Sequence, residues 1–239
     1  MIKTILMVTV FFLNISVAHA YFEDYPPFKF GQKPPATIKT NLLVDYDHPD
    51  YKSSDGKVVA RLAETPDTFD FQLKVDGVIL QEKKERETPF AYAVYEADLD
   101  KNGLRDYIIF SSERGCGLAS QISIVDLYLG KADGGYDCIH YETFGAGIED
   151  FVDYNKDGHA KVFIIDMYGG DKHNYFAYSV YKIQDGKLIN ANAETKGFPK
   201  FIWYTEKKND KNTKHLTIDE KKQFIQKMDS QIKYSVFKK

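Results

Sequence analysis

Short runs of mostly apolar residues, bounded by polar turn residues, follow one another through most of the chain. They are rich in Val, Ile, Tyr and Phe, which favour strands. The runs lie at residues 41–46, 58–62, 69–75, 78–81, 91–97, 107–111, 121–129, 136–144, 162–167, 175–183 and 201–204. Turn-forming pairs such as Asp76-Gly77 and Asp185-Gly186 separate them, as expected for tight hairpins. Strands at this density predict an all-β domain over residues 41–205.

The pattern changes to a helical period near the end of the chain. Thr217 and Glu220 have the spacing of a capping box, which marks a helix start. The apolar residues that then share one helical face are Ile218, Phe224, Ile225, Met228 and Ile232. Residues 206–239 therefore comprise a polar linker (206–214) and one C-terminal helix, which we expect to pack on the sheet.

The first twenty residues have the features of a cleavable export signal. Lys3 precedes an apolar stretch, and Ala18-His19-Ala20 supplies the cleavage pattern, so the mature chain should begin at Tyr21. The alternative is a membrane-spanning helix, but the uncharged stretch is shorter than the roughly 20 residues that a span needs. We therefore expect no membrane span and an exported, periplasmic or secreted protein. Prolines in residues 21–40 indicate an extended N-terminal arm.

Composition and charge limit the classes of partner that the chain can bind. The hydrophobic content of 43% is enough for a sizeable core, and the net charge of −3 gives no electrostatic footprint for nucleic acid. The chain has two cysteines, Cys116 and Cys138. In an oxidising compartment a disulfide between them is expected, and it would contribute about 3 kcal/mol to stability. Two buried free thiols are the alternative.

One segment of the chain is repeated. A shift of 55 residues places 97–103 over 152–158, and it places the apolar run 107–110 over 162–165. A repeat of about this length that consists only of strands is typical of a propeller blade or a related β-repeat. The chain has room for three or four such units.

The repeated segment carries the chemistry of a calcium loop. In the first copy, the oxygen donors are the side chains of Asp98, Asp100, Asn102 and Asp106 and the main-chain carbonyl of Leu104. Oxygens at alternate positions converge when the backbone curls, and Gly103 permits the sharp turn. The loop is not an EF-hand, because Ile109 stands where that loop needs a glutamate. The alternative is an Asp/Asn/Gly-rich turn without an ion.

The second copy is poorer in carboxylates. Its candidate ligands are Asp153, Asn155, Asp157 and His159. Lys161 occupies the position of Asp106, and its positive charge opposes a bound metal. We therefore predict a weak or vestigial second site, to which Asp150 could lend a carboxylate.

The two loops, each followed by a strand (YIIF or VFII), resemble the calcium-binding loops of FG-GAP and VCBS β-propeller repeats of exported bacterial proteins. The resemblance covers about 100 residues. It implies a bound Ca²⁺ and an all-β fold of propeller-like repeats, as a partial or small propeller with one C-terminal α-helix.

The sequence favours a binding module over an enzyme, with calcium in a structural role and a protein or carbohydrate as the ligand. No nucleophile elbow or histidine metal motif occurs. Two other functions stay open. One is a periplasmic immunity or inhibitor protein that neutralises a toxin. The other is a secreted hydrolase of glycan or cell wall, for which the pair Glu149–Asp150 could serve.

Overall fold

A computed structural model describes residues 22–23, 38–65, 68–83, 90–112, 122–153, 156, 158–169, 174–204 and 216–238. The predicted signal segment (1–20), most of the predicted arm (21–40) and the linker (206–214) lie outside these residues. In chain order, the strands are β1 (Phe22–Glu23), β2 (Thr40–Asp45), β3 (Asp50–Lys52), β4 (Val58–Thr65), β5 (Thr68–Val75), β6 (Val78–Lys83), β7 (Phe90–Ala97), β8 (Asp106–Ser112), β9 (Ile122–Gly130), β10 (Tyr136–Phe144), β11 (Phe151–Val152), β12 (Lys161–Gly169), β13 (Asn174–Gln184), β14 (Lys187–Asn190), β15 (Lys200–Tyr204) and β16 (Lys233–Phe237). The helix α1 spans Ile218–Gln231.

The strands form three open antiparallel sheets. The N-terminal sheet is a meander in the order β3-β4-β5-β6, and the central sheet has the order β16-β10-β9-β8-β7-β2. The C-terminal sheet has the order β1-β15-β13-β12-β11. The long strand β13 also pairs with β14 beyond the residues that pair with β15. An all-β class with one C-terminal helix is therefore confirmed within the described residues.

The central sheet lies between the other two, and β8 is buried on both faces. Tyr107 and Ile109 pack with the N-terminal sheet. Ile108 and Phe110 pack with the C-terminal sheet and the helix. All four side chains are buried. A strand that is covered on both faces requires a continuous apolar run. The YIIF segment at 107–110 is such a run, so the sequence agrees with the central position of β8.

The two hydrophobic clusters join the sheets in pairs. The cluster between the N-terminal and central sheets includes Val58, Leu62, Phe71, Leu73 and Val94. The cluster between the central and C-terminal sheets includes Leu127, Tyr141, Val162, Ile164 and Tyr181. Among the described residues, no single cluster contains both outer sheets, so the central sheet connects them.

The helix α1 begins and packs as its sequence predicts, apart from its first residue. The Thr217 hydroxyl accepts a hydrogen bond from the Glu220 backbone N–H, and the Glu220 side chain accepts one from the Thr217 N–H. Phe224 and Met228 are buried against the C-terminal sheet, whereas Ile218 is 72% exposed and lies outside the packed face. Beyond the helix the chain forms β16, which the sequence pattern did not predict and which pairs with β10.

Within the described residues, no helix combines the length and the apolar character that crossing a membrane requires.

Truncation of Ile109 to alanine tests the central position of β8. Ile109 is fully buried between two sheets, so Ile109→Ala should lower the free energy of unfolding by about 3 kcal/mol. The matched control is Ile189→Ala in β14, where the side chain is 40% exposed and the expected loss is below about 1 kcal/mol. Denaturant unfolding measures both, and equal losses would contradict this architecture.

Candidate metal site

The loop between β7 and β8 brings three carboxylates together. Asp98, Asp100 and Asp106 each have an oxygen within 4.8 Å of the others. The backbone reverses tightly here, with positive φ angles of 61° at Lys101 and 78° at Gly103. The structure thus gathers the three acidic residues that the sequence assigns to the first metal loop.

Asp106 is the buried member of the cluster and the first residue of β8. Its Oδ2 accepts a hydrogen bond of 2.6 Å from the Leu99 N–H, and its Oδ1 accepts one of 2.8 Å from the Gly130 N–H. Burial, with a smaller contribution from the charges of Asp100 and Asp98, raises the pKa of this carboxyl to about 7 despite these hydrogen bonds. Negative charge is therefore concentrated where water cannot disperse it, and a cation would reverse that shift.

Asp98 presents an oxygen that needs a partner. Its Oδ2 accepts a hydrogen bond of 3.0 Å from the Gly103 N–H. Its Oδ1 is buried, and no described residue donates a hydrogen to it. A buried acceptor without a donor is uncommon and calls for an explanation such as a water or an ion. Next to two further carboxylates, this oxygen could serve as a ligand of a hard cation.

Asp100 and Asn102 bond to each other across the turn. The backbone N–H and the Nδ2 of Asn102 donate to the two oxygens of Asp100 at 3.2 and 3.1 Å. The Asn102 Oδ1 accepts a hydrogen bond of 2.7 Å from the Leu104 N–H, so this predicted ligand oxygen is engaged within the loop. Burial raises the pKa of Asp100, and the charge of Asp98 adds to the increase. Leu104, the predicted carbonyl ligand, follows at an exposed position.

The second loop, between β11 and β12, resembles the first at the positions that the structure describes. Lys156 and Gly158 have φ angles of 59° and 87°, and the Gly158 N–H donates to the Asp153 Oδ2 at 2.9 Å. These values match the equivalent residues of the first loop. The predicted ligands Asn155 and Asp157 lie outside the described residues. Lys161 stands in the place of Asp106 and is 4% exposed, so the two loops differ in charge at this position.

The two loops touch each other. The Leu99 carbonyl accepts a hydrogen bond of 2.7 Å from the Ala160 N–H, and the Lys101 side chain lies directly over Gly158. His159 is exposed, and its charge lowers the pKa of Asp100, opposing the effect of burial. This predicted second-loop ligand therefore lies beside the first loop, which sequence spacing alone did not indicate.

The carboxylate pair Glu149–Asp150 has a local structural role. The Asp150 Oδ2 accepts a hydrogen bond of 3.0 Å from the Gly147 N–H and closes a 3₁₀ turn at Ile148–Asp150. Burial raises the pKa of Asp150 to about 6. The turn leads into β11, so this carboxylate fixes the approach to the second loop.

The predicted disulfide stays a prediction. Cys138 has a free, partly buried thiol among the described residues, on β10, and Cys116 lies outside them.

The sequence pattern did not predict a hydrogen bond between the side chains of Asp126 and His140. The His140 Nδ1 lies 2.7 Å from the Asp126 Oδ1, and the Gln81 Nε2 donates to the other carboxylate oxygen at 3.2 Å. The two residues are direct partners across the β9–β10 hairpin. They are equally far from Asp133 along the chain, so the register of the hairpin around its turn could have revealed them.

Comparison with known proteins finds no family model that matches the chain, no curated protein with a similar sequence and no solved structure with a similar fold. The resemblance to FG-GAP and VCBS loops therefore rests on the residues of the two loops alone.

The affinity of the first loop for a metal should depend on pH. The pKa of Asp106 is raised to about 7, so below that pH a metal must displace a proton. Affinity for Ca²⁺ should fall by up to about tenfold per pH unit below pH 7. Without metal, the raised pKa stabilises the fold most below about pH 4, and this contribution is lost as the pH rises to about 7. Calorimetric titrations at several pH values measure the affinity, and a constant affinity between about pH 5 and 7 would contradict the prediction.

Substitution of Gly130 tests the backbone around Asp106. A Cβ at this position would lie 2.7 Å from the Arg105 carbonyl oxygen. Gly130→Ala should therefore displace the N–H that donates to Asp106, lower stability by about 1–3 kcal/mol and weaken Ca²⁺ binding. The control is Gly145→Ala, where φ is positive but no atom lies within 4 Å of the new Cβ. It should lower stability by about 1 kcal/mol and leave Ca²⁺ binding unchanged, whereas equal affinities in both variants would contradict the assignment.

Proposed function

We propose that the chain is an exported calcium-binding β-repeat module that acts in binding a partner, with calcium in a structural role. The observation that supports a bound metal is the buried Oδ1 of Asp98. This oxygen has no donor among the described residues and lies in a cluster with Asp100 and Asp106. Three carboxylates in one loop match the preference of Ca²⁺ for several hard oxygen ligands.

A structural role for the ion follows from where the cluster lies. Asp106 is fully buried, so an ion beside it would be sheltered by the loop. The same carboxylate begins β8, the strand that packs against both other sheets. A cation that neutralises the cluster would therefore stabilise the central sheet.

The arrangement of the sheets supports the propeller-like part of the proposal. Three antiparallel sheets pack face to face, and the two related loops join equivalent strand pairs, β7–β8 and β11–β12. Blades of a propeller also pack face to face around an axis. We propose a partial propeller of three blade-like sheets, in which calcium loops hold the strand ends and the turns between them form the binding surface.

Asp98→Asn tests the calcium site with a nearly isosteric change. Loss of one of three carboxylates should weaken Ca²⁺ binding at least about tenfold. Without metal, stability should be unchanged or slightly higher, because the repulsion from Asp100 and Asp106 is reduced. Calorimetry on metal-stripped protein and thermal melts in calcium or chelator measure both effects.

The matched control is Asp153→Asn, at the equivalent position of the second loop. It removes the same charge, and Ca²⁺ should still bind at the first loop. The proposal fails if calcium does not raise the melting temperature of the unsubstituted protein, or if it raises that of Asp98→Asn equally.

A further inference from the structure

A cavity of about 320 Å³ opens between the turns of the N-terminal sheet and the first loop. Asp76 lies on the N-terminal side of this cavity, and Arg105 and Leu104 come from the loop. Lys131 comes from the β9–β10 turn, and Tyr136 is the first residue of β10. The volume is at the lower end of the range for small-molecule sites, and it suits a ligand of one ring.

Positive charge predominates on the cavity wall. Three cationic side chains, Lys57, Arg105 and Lys131, face two carboxylates, Asp55 and Asp76. The Asp55 Oδ1 accepts hydrogen bonds from the Ser53 hydroxyl and the Lys57 N–H at 2.6 and 3.0 Å.

The ion pairs that these cations make are long and partly exposed. The Lys131 Nζ lies 3.3 Å from the Asp137 carboxylate, and the Arg105 Nε lies 3.8 Å from that of Glu96. Partly exposed pairs of this kind are weak, so a ligand carboxylate could compete for both cations.

A buried hydroxyl beside the cavity also needs an acceptor. Tyr107 is fully buried, and no described residue accepts a hydrogen bond from its hydroxyl. Its ring centroid lies 6.1 Å from that of Tyr136, a cavity residue. Arg105 is adjacent to this hydroxyl, but a guanidinium only donates hydrogen bonds. An unpaired buried donor is costly, and an oxygen-rich ligand or a water in the cavity would satisfy it.

We propose that this cavity binds an acidic sugar, a single ring that carries one carboxylate and several hydroxyls. The carboxylate would lie among Lys57, Arg105 and Lys131. The Asp76 carboxylate would accept from sugar hydroxyls and disfavour more highly charged anions such as phosphate. Tyr136 supplies an aromatic side chain against which a ring can lie.

This inference extends the proposed function by naming a ligand class, and it rests on that function only through the shared loop. Leu104, Arg105 and Gly130 line the cavity, and Gly130 is also bonded to Asp106. Calcium in the loop would hold one wall of the cavity and so strengthen binding of the sugar.

Titration of the calcium-loaded protein with galacturonate, followed by calorimetry or NMR, tests the inference. Galacturonate should bind, and galactose, which lacks the carboxylate, should bind at least about tenfold more weakly. The double variant Lys57→Gln/Lys131→Gln should lose at least about tenfold in affinity for galacturonate. The matched control is Lys222→Gln/Lys227→Gln on exposed positions of α1, which makes the same charge change and should bind as the unsubstituted protein does.

Tyr107→Phe separates a ligand role from a structural one. Removal of an unsatisfied buried hydroxyl should leave stability unchanged or slightly higher, while affinity for galacturonate falls. The inference is overturned if galacturonate does not bind, or if galactose binds equally well. It is also overturned if the cavity and control lysine variants bind galacturonate with equal affinity.

The same titrations in chelator and in Asp98→Asn distinguish the two proposals. Galacturonate binding by a protein that takes up no calcium would overturn the calcium module alone. Calcium binding without galacturonate binding would overturn this inference alone.

Discussion

The buried carboxylate of Asp106 is the interaction on which the central sheet depends. It joins the β7–β8 loop to the end of β9 through the N–H groups of Leu99 and Gly130. Desolvation makes a charge at this point costly, and Asp98 and Asp100 increase that cost by repulsion. The sequence thus places a buried negative charge at the start of a strand that is covered on both faces, and either a proton or a bound cation would neutralise it.

The apolar and ionic parts of the fold meet at β8. The strand begins at Asp106 and then presents alternate side chains to two separate clusters. Strain at the loop would therefore reach both sheet interfaces, since close-packed side chains transmit small displacements. This coupling explains how an ion at one edge could hold turns that belong to different sheets, the turns that also enclose the cavity.

Local patterns predicted most of the fold, and contacts between distant residues account for what they missed. Runs of β-branched and aromatic residues between glycine-containing turns located most of the strands, and the capping box located α1. The pairing of β16 with β10 joins residues almost a hundred positions apart, and no local pattern encodes it. The carboxylate cluster was predictable because its donors share one loop. The proximity of His159 to Asp100 was not, because it depends on how two loops pack.

The two repeated loops are similar at their described backbone positions but differ in the charge of one buried side chain. Both loops use an aspartate to accept a hydrogen bond from a glycine N–H five residues later. At the start of the following strand, one has a buried carboxylate and the other a buried lysine. A lysine contributes its positive charge as part of the chain, whereas a third carboxylate increases the need for an ion from solution. The second loop contacts the first through the Leu99–Ala160 hydrogen bond, and a lysine in place of the ion would confine any calcium dependence to one edge of the central sheet.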